Sequence, residues 1–392
     1  MLTQRQLFLN HLAQTSETPL ALEIEKAEGV YLKDTSGKQY IDLISGISVS
    51  NVGHRHPKVV SAIKDQLDKY MHLMVYGEYI QSPQVQLAKR LSEYLPKNLS
   101  SVYFVNSGTE AIEGAMKLSK RFTGRTEIIS FKNAYHGSTQ GSLSIMGSEE
   151  FKNAFRPLLP DTKQIEFNNV DDLKQITSRT ACVVVETIQG EAGAIIPQSD
   201  FLKKLSTRCK ETGALLIADE IQCGFGRTGK LFAFEHYNFV PDILCLAKGM
   251  GGGMPIGAFI SSSKIMSTLT NNPILGHITT FGGHPVCCAA SLATLNVLLE
   301  EKLVEKVEAK EKLFRKLLKH PKIKSVHGKG LLLAVEFESY EQNKKIIDKC
   351  IEKGVIVDWF LFNTHSMRIA PPLTITEEEI RFSCEVILKS VV

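Results

Sequence analysis

Leu215-Leu216-Ile217-Ala218-Asp219-Glu220-Ile221-Gln222 is a short apolar run that stops abruptly at two acids, just before the glycine-rich Gly224-Phe225-Gly226-Arg227-Thr228-Gly229. A run of this length without polar alternation fits a strand buried on both faces of a parallel sheet. Ligands of open α/β sheets collect at the carboxyl ends of such strands, where Asp219 falls. Working outward, helical patterns over Pro57–Tyr70 and Pro83–Tyr94 (Ser82 as N-cap) alternate with apolar strands near 102–105, 126–131, 181–186, 214–218, 242–247 and 256–260. That alternation predicts an α/β chain with a mostly parallel sheet covered on both faces. Before it, 30–33 and 39–43 flank the turn Asp34-Thr35-Ser36-Gly37 and read as a hairpin. After residue 285 the texture changes to a long helical stretch (286–318), strands at 331–337 and 355–357, and a last helix opened by the capping box Thr376-Glu377-Glu378-Glu379. The expected division is an N-terminal segment of a small α+β domain (1–50), a large domain (51–285) and the C-terminal part of the small domain (286–392).

Lys248 is the only charged residue between Ile243 and Ile260, amid apolar residues and glycines. An ammonium taken from water is costly unless paired or neutralised, and a neutral amine there is ready to form a Schiff base with an aldehyde. A lysine snorkelling from a strand end also fits this stretch taken alone. Asp219 likewise reads either as a loop acid or as the partner that keeps a pyridine nitrogen protonated. A third element is the turn Asn106-Ser107-Gly108-Thr109-Glu110-Ala111, between the apolar Val102–Val105 and a helix carrying Ile112, Ala115, Leu118 and Phe122 on one side. Free N–H groups and the positive end of the helix dipole make such a turn an anion site, with Ser107 and Thr109 hydroxyls as extra donors and Gly108 allowing close approach. Lysine, acid and phosphate turn together are the parts that pyridoxal 5'-phosphate requires.

With 392 residues the chain can bury a large core, and its net charge of +4 is small. No Lys/Arg block interleaves with aromatics, which argues against nucleic acid as a partner. Nowhere do eighteen uncharged apolar residues run together, and the first ten residues hold too short an apolar stretch for a secretory leader, so no membrane role is expected and a cytoplasmic location follows by default. The eight cysteines lack metal-like spacing and sit mostly in apolar runs, such as Cys182, Cys245 and Cys287-Cys288. They read as small hydrophobes of a reducing compartment, and no metal site is expected. His54, His56 and His136 read as structural hydrogen bonders.

In this order the motifs resemble the class III pyridoxal-phosphate aminotransferases of the acetylornithine, ornithine and 4-aminobutyrate group. The resemblance spans nearly the whole chain. It rests on Gly46-Ile47 with Gly53-His54-Arg55-His56-Pro57, the 106–111 turn, Tyr135-His136-Gly137, Glu186 with Gln189-Gly190-Glu191, Asp219-Glu220-Ile221-Gln222, Gly224–Gly229, Lys248-Gly249, Thr280-Phe281-Gly282-Gly283, and Arg368 before Pro371-Pro372-Leu373. It implies the fold type I of pyridoxal-phosphate-dependent transferases and a homodimer with shared active sites. It further implies that Lys248 anchors the cofactor and moves the proton, Asp219 faces the pyridine nitrogen, and Tyr135 and Ile221 cover the two ring faces. Gln222 reaches the phenolic oxygen, His136 belongs to the cofactor shell, and Thr280 reaches the phosphate of the neighbouring subunit. Ile47, Glu186, Glu191 and Arg368 fall on the substrate side.

Glu186 and Glu191 are the only charges between Cys182 and Ser199, and Arg368 is the only permanent one between Phe360 and Thr376. Isolated charges in apolar segments need partners, so a buried structural salt bridge would satisfy Glu191 and Arg368. By resemblance the pair is a switch, in which the arginine binds the α-carboxylate of glutamate and the glutamate covers it when a terminal amine is bound. The resemblance implies ping-pong transfer of a terminal amino group from an amine donor to a keto acid, 2-oxoglutarate. An aminomutase acting on one substrate, and a non-enzymatic binding module on the same fold, are the alternatives. Two departures bear on the substrate. Ile47 stands where ornithine aminotransferases tend to carry tyrosine, and Ser138 where the group tends to carry an arginine for a distal carboxylate.

Overall fold

Seven strands form the central sheet of the computed structural model, which describes residues 2–198 and 200–391. Their spatial order is Ser101–Val105, Gly257–Ser261, Ile243–Leu246, Leu215–Asp219, Thr180–Glu186, Glu127–Phe131 and Thr162–Ile165. Only Gly257–Ser261 runs antiparallel to its neighbours. Side chains alternate across the sheet with period two, and both sides are buried. Cys182, Val184, Leu215, Ile217, Ile243 and Cys245 pack on one face with Ala111, Ile112, Ala115 and Leu118 of the helix Gly108–Thr123. Val183, Val185, Leu216, Ala218, Leu244 and Leu246 face the other side, with Phe201, Leu202 and Leu205 of the helix Phe201–Thr212. Each fully buried aliphatic side chain contributes roughly 1.5–3 kcal/mol, so this double-faced layer is the main source of rigidity beneath the strand ends.

That rigidity sets the site. Glu186 and Asp219 are paired in register at the ends of adjacent parallel strands, and Asp219 pairs on its other side with Cys245. Lys248 follows two residues after Leu246, and the 106–109 turn leaves the same edge after Val105. The four elements therefore converge by topology rather than by sequence proximity.

Both chain ends meet in a second sheet, Ile24–Glu28, Tyr31–Asp34, Gln39–Asp42 and Val355–Ile356, the last pair parallel. A third, antiparallel sheet holds Ser325–Lys329, Leu332–Glu336, Asn363–Ile369 and Asp358–Phe360. Arg227, from the glycine-rich loop, is completely buried and joins these parts by donating to the carbonyls of Leu331 (3.0 Å) and Pro371, to Ser45 Oγ (3.2 Å) and to Asn51 Oδ1. Burial pulls its guanidinium down to about 9. All eight cysteines are free and buried.

Several boundaries differ from expectation. The helix from Pro57 ends at Leu67, and Ser82 lies inside the helix Ser82–Glu93 with Gln81 at its N-cap and no side-chain cap bond. The stretch 286–318 is two helices, Pro285–Glu300 and Val307–Leu317, broken where Lys302 takes φ 53°. Neither glycine nor proline marks that break, so the sequence carries no signal for it. The strand at 355 ends at Ile356 and a separate one follows at Asp358–Phe360. Thr376 forms the expected capping box, its Oγ1 accepting from Glu379 N at 3.2 Å and its own N–H donating to Glu379 Oε2 at 2.7 Å.

Candidate active site

A cavity of about 520 Å³ opens at the carboxyl ends of the central strands. Its lining includes Ser107, Gly108, Thr109, Tyr135 and His136 together with Glu186, Glu191, Asp219, Ile221, Gln222 and Lys248. Residues called from separate parts of the sequence thus share one chamber. Among the described residues no helix is long and apolar enough to cross a membrane, and no three His, Cys, Asp or Glu side chains gather as metal ligands.

Lys248 opens a short 3₁₀ turn, Lys248–Gly251, with φ 45°. A left-handed conformation at a residue with a Cβ costs of order 1–3 kcal/mol and persists only where the surroundings enforce it. Here the apolar strand before it and the close packing of Gly249, whose added Cβ would lie 2.5 Å from Asn51 Nδ2, supply that enforcement. Lys248 makes no side-chain hydrogen bond to another described residue. Burial pushes its ammonium below the ordinary lysine range, with Arg368 adding to the push and Glu191 opposing it.

Asp219 is fixed from two sides. Its Oδ2 lies 2.7 Å from His136 Nδ1, and its Oδ1 accepts from Ile221 N at 3.0 Å. His136 is therefore a support for the acid. Glu186 holds the neighbouring loops, accepting from Tyr135 N at 2.9 Å and Gly190 N at 2.8 Å. Burial, with Asp219 as a like-charged neighbour, raises its carboxyl to about 7 against the pull of His136.

The phosphate turn differs in detail from its sequence reading. Ser107 Oγ caps its own helix, accepting from Glu110 N at 3.3 Å, and Thr109 Oγ1 is shared between Thr139 Oγ1 (2.7 Å) and Ser142 Oγ (2.6 Å). The closest approach at Gly108 is to Ile221, because a Cβ there would lie 2.9 Å from Ile221 Cδ1 and Cγ2. The glycine makes room for the side chain assigned to a ring face. Ser107, Gly108 and Thr109 still line the cavity at the helix N-terminus, where the first N–H groups have no intrahelical carbonyl to reach.

Glu191 Oε2 accepts from Arg368 Nη2 at 2.8 Å and from Leu361 N at 3.1 Å, while its Oε1 accepts from Gln222 Nε2 at 3.2 Å. Burial would raise its carboxyl, but Arg368 and Lys248 outweigh it and leave the group below the usual range. Arg368 is buried behind this carboxylate, its guanidinium 4.6 Å from the centre of the Phe360 ring.

Besides Arg368, which lies behind the Glu191 carboxylate, two expected residues lie elsewhere. Ile47 does not line the cavity. It sits in a left-handed turn in which Ser45, Gly46, Ile47 and Ser48 have φ of 45°, 62°, 63° and 63°, and Val49 just after it forms the wall. Thr280 is exposed on the surface, away from this chain's own cavity. Sequence reading missed Val49, Asn106 and Asp358. Asn106 donates from Nδ2 to Thr279 Oγ1 at 3.1 Å, and its place in the phosphate turn was the available signal. Among the described residues, Lys248 is the only lysine or arginine in the cavity wall. Ser138 is exposed, 3.1 Å from Tyr135 Oη, and Arg156 is bound to Glu149 at the surface.

The donor set fits pyridoxal phosphate. It combines an amine without a hydrogen-bond partner, an acid held rigidly in the same chamber, and a helix N-terminus at its rim, within the 300–1,000 Å³ or so usual for small-molecule sites. Comparison with known proteins agrees. The model of the family "Aminotransferase class-III" matches residues 12–391. The chain is 41% identical over 373 residues to acetylornithine aminotransferase from Methanopyrus kandleri, covering 94% of each. The solved ornithine aminotransferase from Toxoplasma gondii superposes with a TM-score of 0.92 at 30% identity, over 100% of this chain and 95% of that one. The adenosylmethionine-8-amino-7-oxononanoate aminotransferase from Methanocaldococcus jannaschii gives 0.91 at 30% identity, over 99% and 98%. With fold, chamber and family model in agreement over nearly its full length, the chain belongs to the class III aminotransferases, pyridoxal-phosphate-dependent enzymes of the α/β transferase fold.

Proposed function

We propose that this transaminase moves a terminal amino group from a donor such as N-acetylornithine, ornithine or 4-aminobutyrate to 2-oxoglutarate in a ping-pong cycle. The observation that carries the reading is Glu191 in the cavity wall clasping Arg368, buried behind it, at 2.8 Å. An arginine covered by a movable acid lets one site take a terminal amine with the pair closed and an α-carboxylate with it open. The guanidinium fork suits a bidentate carboxylate.

Bound pyridoxal phosphate supplies the electron sink for breaking the C–H bond beside the substrate nitrogen. The chain supplies the rest. Lys248 Nζ anchors the cofactor and, once displaced by substrate, takes the proton from that carbon and returns it. Its lowered proton affinity suits both tasks. Asp219, kept in place by His136 and Ile221 N, would hold the proton on the ring nitrogen of the bound cofactor. Tyr135 and Ile221 would cover the ring faces of the bound cofactor, Gln222 would reach its phenolic oxygen, and Ser107, Gly108 and Thr109 would receive its phosphate. Glu186 fixes the Tyr135 and Gly190 backbones on the substrate side, and the turn holding Ile47 leads into Val49 in the wall.

A second copy of the chain completes the site in this reading, with Thr280 of the partner subunit at the phosphate. Support comes from an apolar surface around Thr280. Met71, Leu73, Met74, Tyr79, Ile80, Ile274, Leu275, Ile278 and Phe281 are all exposed, Ile80 at 96%. The His72 and Phe281 rings lie 4.9 Å apart, so the two segments form one continuous patch of the kind that marks an interface. The buried free thiols support a reducing, cytoplasmic setting. The opening hairpin and the residues after 285 are read as one small domain against the large one.

Arg368→Ala is expected to weaken glutamate and 2-oxoglutarate by roughly ten- to a hundredfold in kcat/KM, the value of a charge-assisted pair, and to spare the terminal-amine half-reaction. Single-turnover rates for each half-reaction test this. Equal damage to both would make the pair a structural salt bridge.

Ser138 leads to a further expectation. With no Lys/Arg other than Lys248 among the described residues of the wall, the distal carboxylate of 2-oxoglutarate meets a neutral hydroxyl within this chain. The enzyme should discriminate weakly between 2-oxoglutarate and pyruvate, and Ser138→Arg should raise the preference by about tenfold. Steady-state kcat/KM for both acceptors checks it. A strong preference in the unaltered enzyme would mean that the distal carboxylate has another partner.

A further inference from the structure

Arg368 is held by two acids. Besides Glu191 on Nη2, Asp358 Oδ1 lies 3.3 Å from Arg368 Nε, and the two residues are direct cross-strand partners in the antiparallel pair Asp358–Phe360 and Asn363–Ile369. The alignment is that of a charge contact: Arg368 Nε and Nη1 and Asp358 Oδ1 are all buried without a hydrogen bond among the described residues. Arg368 Nη2 also donates to the carbonyl of Trp359 at 3.3 Å. Asp358 therefore neutralises the guanidinium while leaving Nη1 free.

Resting on the reading of Arg368 as the α-carboxylate receiver, we propose that Asp358 is a positioning residue that sets how strongly Arg368 attracts a substrate carboxylate. When Glu191 swings away, an ionised Asp358 still offsets the arginine's charge, and the incoming α-carboxylate competes with it. When Asp358 is protonated, the arginine presents its full charge. A terminal amine, bound with Glu191 closed on Arg368, does not see the difference. The result is a selective brake on one half-reaction.

The charged groups acting on Asp358 come from several elements. They are Arg368 on the neighbouring strand, Glu191 in the loop after Thr180–Glu186, and Asp42 at the end of Gln39–Asp42, which itself contacts His54 Nε2 at 2.8 Å. Burial raises the Asp358 carboxyl to about 7, Arg368 pulling it down and Glu191 and Asp42 pushing it further up. Competition is thus present above about pH 7 and fades below it, the direction set by a carboxyl whose ionised form opposes binding. Reciprocity requires that a bound α-carboxylate raise the proton affinity of Asp358 by the same factor by which protonation favours the carboxylate.

The test compares the holoenzyme with Asp358→Asn, which keeps the shape and removes the charge. For 2-oxoglutarate, the ratio of wild-type KM to variant KM is expected to be near one at about pH 6 and to rise to about ten at about pH 8.5, with kcat unchanged. The same ratio for the terminal amine should stay level. Calorimetric titration with glutarate, an unreactive dicarboxylate, should give the same pH-dependent ratio in Kd. A structural role would lower stability and move both substrates together at every pH. A level ratio for 2-oxoglutarate, or equal changes for both substrates, overturns the proposal. Arg368→Lys run in parallel separates the two failures. If it loses 2-oxoglutarate selectively while Asp358→Asn shows no pH-dependent ratio, only the role of Asp358 falls. If it affects both half-reactions equally, the reading of Arg368 falls and the proposal with it. The pH dependence of the wild-type glutarate Kd stands even if Asp358→Asn does not fold, and a Kd level across about pH 7 also overturns the proposal.

Discussion

Lys248→Ala is expected to lower turnover by about 10⁴-fold or more, because one nitrogen serves as both covalent anchor and proton carrier, and acid–base catalysis alone is worth roughly 10²–10⁴-fold. The protein should remain folded. Removing the side chain at φ 45° takes away neither a side-chain hydrogen bond nor an ion pair among the described residues. Added methylamine should restore a fraction of the rate in proportion to its concentration, since it supplies a free amine in the vacated space. Stopped-flow absorbance of both half-reactions checks this, and a variant retaining a tenth of wild-type turnover would place the chemistry on another group.

Asp219→Ala should cost on the order of 10²–10³ in kcat, the usual loss when one fixed charge that stabilises a transition state is removed. Its contacts predict a second, smaller effect. His136 Nδ1 and Ile221 N both lose a buried acceptor, which costs about 1–3 kcal/mol each in stability. Asp219→Asn keeps an acceptor for Ile221 N and so should recover stability without recovering rate. That split between Tm and kcat distinguishes an acid that works on the ring nitrogen from a simple loop acid. Near-normal rates in either variant would reduce Asp219 to a cap.

The double-faced sheet was legible because its strands are short apolar runs such as Leu215–Asp219, and because burial on both faces suppresses polar alternation. Lys248 and Asp219 stood out for the same reason: a charge in an apolar stretch has to be explained. Other features depend on contacts that no local pattern encodes. The break at Lys302, where φ is 53°, falls in a stretch without glycine or proline. The four left-handed residues at 45–48 include only one glycine, so their conformation was invisible in composition. Asp358 lies just past the strand expected at 355–357, and only its cross-strand pairing with Arg368 reveals it as a partner of that arginine. The smallness of Gly108 was anticipated, but its near neighbour proved to be Ile221, which the chain brings back from more than a hundred residues away.

Borohydride reduction of the holoenzyme, followed by proteolysis and peptide mass mapping, addresses the central assignment most directly. Hydride fixes a cofactor joined to a lysine as a stable secondary amine. The pyridoxyl mass should appear on the peptide containing Lys248 and be absent from the Lys248→Ala protein treated in the same way. Recovery of that mass on a different lysine in the unaltered enzyme would contradict the account.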